Sequence, residues 1–263
     1  MMHRRQDGQP SRYAVRQVVQ RTGAVLPGAV GLHHVGVACP VRRFSLNLPA
    51  LYAFLTELKF NNSKDWFDAN RGRYQALRQE FIAFMGGVIQ GVARTDPSVA
   101  DVRAQDTLFR INRDVRFAHD KSPYKTTFSA AISSGGRHST LPIYYLQLGA
   151  DESLVAGGVY RPQAADLRII RDYIQRYPAS ADALLTYKAL AESFGGLGRS
   201  GMLKRFPRGY GEGSGLLKFR SFTVSAATDL AEAGDLSAFV VQKCADMQPL
   251  HAWLREALAY RKP

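Results

Sequence analysis

YKTTFSAAISSGGRHSTLPIYYLQLGADESLVAGGVYR, Tyr124 to Arg161, sets the architecture of this chain. Its runs Tyr124–Ser133, Leu141–Gly149 and Leu154–Arg161 are rich in aromatic and β-branched residues, the side chains that suit a pleated surface. Gly135-Gly136 supplies a turn between the first two. The short spacings favour antiparallel neighbours over crossover helices. A run ahead of them, Thr107–Phe117, reads as another strand, and residues 221–225 as a last one.

Helical periods flank this core. Leu51, Phe54, Leu55 and Leu58 place one face of a helix over Leu48–Lys59. After the turn and cap residues Asn61-Asn62-Ser63, the period of Phe67, Tyr74, Leu77, Phe81, Phe84, Met85, Val88 and Val92 predicts one long helix, Lys64 to Arg94. Asp96-Pro97 ends it. Pro162 opens a helix with Leu167, Ile170, Ile174 and Tyr177 on its buried stripe. Ser180–Phe194 is a further helix, stopped by Gly195-Gly196. Residues 198–220 read as a basic loop, and Asp235–Tyr260 as a helix broken at Pro249. With no repeat and no Pro, Gly or Ser-rich linker, the reading is one α+β domain over residues 46–263, a mainly antiparallel sheet flanked by helices.

Composition narrows the function classes. With 46% hydrophobic and 22% charged residues, the 263-residue chain has an ordinary globular balance and needs no disulfide framework. The two cysteines, Cys39 and Cys244, and six scattered histidines offer no metal-ligand spacing, so no metal is expected. No run of about 18 apolar residues exists, so no membrane helix is expected. Two reduced cysteines fit the cytoplasm. The net charge is +13, of which residues 1–45, with seven arginines against Asp7, carry +6. That leader reads as disordered or extraneous. A secretory or lipoprotein signal and a basic arm for nucleic acid are the alternatives.

The densest polar stretch is Arg110 to Lys125. If Arg110–Phe117 is a strand, then Arg110, Asn112, Asp114 and Arg116 share one face, with Ile111, Arg113, Val115 and Phe117 on the other. Burying that polar row without partners is costly. An aspartate beside each arginine can orient it, leaving the remaining guanidinium groups to grip an anion bidentately. Arg113 among apolar neighbours implies a bulge or a buried pair. The competing reading is a ladder of mutually neutralising surface pairs.

Arg110-x-x-Arg113-Asp114-x-Arg116-Phe117-x-x-Asp120-Lys121-x-x-Tyr124 resembles the signature of a bacterial family of uncharacterised proteins, domain of unknown function 2461. The resemblance takes in Asn61-Asn62-x-Lys64-x-Trp66-Phe67, Gly157-Gly158-x-Tyr160-x-Pro162 and Lys204-Arg205-x-Pro207-x-Gly209-Tyr210, and spans residues 48–260. It implies an α+β fold and no reaction.

The expected site is therefore an anion cradle for a phosphate- or carboxylate-bearing small molecule. Arg110, Arg113, Arg116 and Lys121 bind, Asp114 and Asp120 orient them, and Lys204 and Arg205 fold over the same anion. Tyr124, between Lys121 and Lys125, is the candidate reactive hydroxyl. A helix start at Asn61–Trp66 could hold an anion, or Asn62 or Ser63 could simply cap it. Gly196-Leu197-Gly198-Arg199-Ser200-Gly201 has the letters of a dinucleotide fingerprint but follows a helix, with Ser221 where an acid belongs, so no cofactor is expected. Nucleic-acid binding and a purely structural module are the alternatives. Oligomeric state is not legible.

Overall fold

The sheet holds four antiparallel strands in the order β1-β2-β3-β4: β1 (Thr127–Ile132), β2 (Ile143–Gly149), β3 (Leu154–Val159) and β4 (Phe222–Ala227). A computed structural model supplies this architecture; it describes residues 46–137, 139–227 and 234–261. The leader assigned to residues 1–45, with Cys39, lies outside the described residues.

Strand alternation gives the sheet two unlike faces. Directly paired residues Phe128 and Leu148, Ala130 and Leu146, Ile132 and Tyr144 point to the helices, as do Val155, Val224 and Phe222. The register neighbours on the other face include Ser129 with Gln147 and Tyr145 with Ala156. Tyr145, Gln147 and Ala156 stay half-buried. The helical side is dominated by α3 (Arg71–Val92) and α8 (Leu236–Ala259), with α1 (Leu48–Phe60) and α5 (Ala164–Arg176) beside them. Fully buried Phe54, Phe81, Met85, Leu146 and Leu254 fill the layer between; each such side chain contributes about 1.5–3 kcal/mol of transfer free energy.

The single helix expected over Lys64–Arg94 is two, α2 (Lys64–Ala69) and α3, divided at Asn70. The Asn70 side chain donates to Trp66 O (2.9 Å), which also keeps its bond from Asn70 N (3.1 Å), so this carbonyl carries two bonds where α2 ends. Ser63 is the cap, its hydroxyl accepting from Trp66 N at 3.3 Å. Ser180–Phe194 also divides, into α6 (Pro178–Leu185) and α7 (Lys188–Phe194), around Thr186-Tyr187. Pro249, by contrast, does not break α8. Met247, Leu250, Trp253 and Leu254 are buried on either side of it, and that packing outweighs the lost backbone bond.

The expected strand Thr107–Phe117 is the main correction. It begins as the end of a one-turn helix, α4 (Ala104–Thr107), and then pairs with the β1 side only at isolated bridges, Leu108 with Ala130 and Asn112 with Tyr124. Bonds from Phe109 N to Ser129 O, Lys125 N to Ile111 O and Arg113 N to Pro123 O tie it down. The pairing stops where residues 113–122 turn away to satisfy their own charges.

Candidate functional site

Side-chain alternation survives without a ladder: Arg110, Asn112, Asp114 and Arg116 are exposed, while Ile111 is buried and Arg113 and Val115 are half-buried. Phe117 breaks the pattern at 96% exposed.

Most of the charges in this stretch find partners inside it. Arg113 pairs with Asp120 and also donates to Ser122 O (3.2 Å). Asp120 accepts from Ser122 N (2.9 Å) and Ser122 Oγ (2.6 Å); these bonds and Arg113 hold its carboxyl far below the usual range. Arg116 grips Asp114 with two bonds, Nε to Oδ1 at 3.0 Å and NH2 to Oδ2 at 2.7 Å, which lowers the Asp114 carboxyl in turn. Lys121 Nζ donates to Val115 O at 3.0 Å. These contacts fold residues 113–122 into a loop whose two carboxylates are both paired within it.

Three cations of the motif have no carboxylate partner among the described residues: Lys121, which donates to the Val115 carbonyl, Arg110 and Lys125. Lys125 is half-buried with its ammonium 5.6 Å from the Phe109 ring centre. Burial lowers its pKa, and the nearby Arg110 charge lowers it further. Beside them lies a shallow hollow between α3 and β1, lined by Tyr74, Arg78, Phe109, Ile111, Thr127 and Ser129 among others. Inside it there is room for a water-sized group only. Arg78, on the lining of this hollow, is a further cation with no carboxylate partner among the described residues.

Tyr124 is buried at 6% exposure, its ring stacked on Phe67 with centres 4.0 Å apart. Its main chain is clamped by Asn62, which accepts from Tyr124 N and donates to Tyr124 O, both at 3.0 Å. Sequence reasoning gave Asn62 a capping role; its actual function is to bolt the motif to the helix layer. Lys64 pairs with Asp68 at 2.7 Å and Trp66 packs on Phe54.

Lys204 and Arg205 are exposed on a loop that the structure does not bring to the motif. That loop joins the β4 side of the sheet through Gly198 N to Thr223 O (2.8 Å) and reaches α5 through Tyr210, whose hydroxyl bonds Asp172 Oδ1 at 2.9 Å. The motif sits at the β1 edge. Three strand spacings, about 14 Å, separate β1 from β4.

A buried polar network escaped the sequence reading altogether. Asp96, 2% exposed, accepts from Ser98 Oγ (2.7 Å) and from the Tyr144 hydroxyl (2.8 Å), and pairs with Arg255. The Tyr144 hydroxyl also lies 2.9 Å from Gln248 Oε1. Burial would raise the Asp96 pKa, but the bonds from Ser98, Tyr144 and Arg255 outweigh it and hold the carboxyl below its ordinary value. His251, fully buried, faces the Tyr144 ring at 4.0 Å and has no hydrogen-bond partner at either ring nitrogen. Burial pushes its pKa down to about 3, so it is neutral. The Asp96-Pro97 pair had been legible only as a helix stop. Cys244 is buried, its thiol raised to about 12 by desolvation, which makes it inert. No group of side chains able to hold a metal, and no helix long and apolar enough to cross a membrane, occurs among the described residues.

An antiparallel sheet layered on helices, with a charged loop at one edge whose two carboxylates are paired internally, defines an α+β protein whose polar signature is partly structural. The chain belongs to the family of conserved hypothetical proteins designated domain of unknown function 2461, which it matches over residues 50–253. No curated protein matches it, and no solved structure does.

Proposed function

We propose that the protein binds a small molecule through a phosphate or carboxylate group held by Arg110 and Lys125, with Arg78 beside the adjoining hollow. The observation that carries this reading is the adjacency of two cations, one of them half-buried, with no carboxylate between them. Like charges so placed repel, and an anion relieves both the repulsion and the desolvation of Lys125. A guanidinium offers two parallel donors to such a group, and an ammonium a point charge. In this reading Arg113, Asp114, Arg116, Asp120 and Lys121 shape the loop that presents Arg110. Tyr124 is accounted for by packing, and we assign no reaction.

Titration calorimetry of the whole chain with inorganic phosphate and with citrate tests the reading. Arg110 is exposed, so Arg110→Gln should leave the thermal midpoint unchanged while weakening binding at least tenfold, the loss of about 1.4 kcal/mol that one charge-assisted bond exceeds. Arg110→Gln and Lys125→Gln proteins that both bind as the parent does would refute it.

A further inference from the structure

The other end of the sheet carries a second cluster of positive charge. Arg171 on α5 is half-buried, and its Nε is sealed from water with no hydrogen-bond partner. Its guanidinium has one weak acceptor, Phe219 O at 3.5 Å from NH2. Next to that carbonyl is exposed Arg220, whose charge acts on Arg171 unfavourably. Neither arginine is paired with a carboxylate among the described residues. The acid beside Arg171, Asp172, already accepts from Tyr210.

The backbone at this end is held in an unusual shape. Arg161 has φ 45°, the left-handed region that costs a residue with a side chain about 1 kcal/mol or more. It is held there by a bond from its N–H to Ser221 Oγ (3.0 Å), beside Arg220. Ser221 accepts in that bond, so its hydroxyl hydrogen remains available to donate. Two stretches noted in the sequence meet here: Gly157–Pro162 brings Arg161, and Lys204–Tyr210 brings the Tyr210 hydroxyl to α5.

We propose that Arg171 and Arg220 form a second anion site, for a phosphate-type oxoanion, where α5 meets the Phe219–Arg220 approach to β4. A half-buried guanidinium next to another cation is unfavourable unless something supplies acceptors. A tetrahedral oxoanion supplies enough for both forks. Lys204 and Arg205 add positive charge on the loop that Tyr210 anchors. The site is independent of the Arg110 and Lys125 pair.

The test uses the whole chain, inorganic phosphate and glycerol 3-phosphate as probes, and chloride at matched ionic strength as control. Phosphate should still raise the thermal midpoint of Arg110→Gln, through this second site, and chloride should not. Arg220→Gln, altered at an exposed position, should keep its phosphate-free midpoint and bind phosphate at least tenfold more weakly. Arg171→Lys, which keeps the charge but loses the fork, should also bind more weakly. The ratio of the two probe affinities tells a free anion from an esterified one. The proposal is overturned if neither probe binds, if chloride reproduces the shift, or if both variants bind as the parent does. Loss of phosphate binding in Arg110→Gln alone overturns it too, while supporting the site at the central motif.

Discussion

Replacing Arg255 by Met isolates the energetics of the buried network. The substitution keeps the aliphatic volume and removes the cation facing Asp96. Breaking a fully buried pair costs about 3–5 kcal/mol, because the remaining charge is stranded. Here the arginine side chain is 28% exposed, and Asp96 keeps its bonds from Ser98 and Tyr144. Both reduce the loss, to about 2–3 kcal/mol near neutral pH. The pH dependence has a definite sign. In the parent, the folded carboxyl lies below its unfolded value, so its contribution is present above the carboxylate range and disappears as pH falls. In Arg255→Met the bond and charge of the guanidinium are gone, so the folded carboxyl moves up and less of the variant's stability disappears on acidification. The Arg255 charge also disfavours protonation of His251, so its removal works in the same direction. The gap between parent and variant should therefore be about 1 kcal/mol narrower at pH 4.5 than at pH 7.5. Urea unfolding followed by fluorescence of Trp253, which lies on the same helix, measures both values. A gap under 1 kcal/mol at pH 7.5, or one that widens on acidification, refutes this account.

Four further variants test contacts elsewhere in the fold. His251, with a folded pKa of about 3, cannot take up the proton that the unfolded chain binds below about pH 6.5. The parent should thus lose about 2–3 kcal/mol between pH 7.5 and 4.5 through this residue, and His251→Leu should flatten that part of the urea-derived profile. Asn62→Ala removes both bonds to the Tyr124 main chain; it should cost about 1–2 kcal/mol and speed hydrogen exchange at Tyr124 N–H, which would not change if the clamp were idle. Gly158→Ala should destabilise by more than about 2 kcal/mol, since φ is 109° and the added carbon would stand 2.1 Å from Phe222 O. Gly136→Ala, at φ 79° with open space around it, should cost only about 1 kcal/mol in the same thermal melt.

The three strands β1 to β3 and the helices α1 and α5 were legible because each has a local period: alternation for a strand, 3.6 residues for a helix face. The helix division at Asn70 was not, since the apolar period runs on through it and only a side chain-to-carbonyl bond marks the change. Pro249 failed as a stop signal for the opposite reason: burial on both sides of it outweighed local chemistry. The charged stretch was legible as charge and as alternation, but not as a set of partners. Arg113 finds Asp120 seven residues on, and Asp114 finds Arg116 two residues on; either choice satisfies the same letters.

Amino-acid order alone settled the family, the antiparallel sheet and the position of the polar motif, because these depend on side-chain periods and turn residues acting over a few positions. Which cations are neutralised, that Asp96 meets Arg255 across 159 positions, and that Arg171 reaches the Phe219 carbonyl next to Arg220, were decided only when the layers packed. Charge pairing is a matter of distance in space. A sequence lists the charges; the fold determines which of them come close enough to cancel.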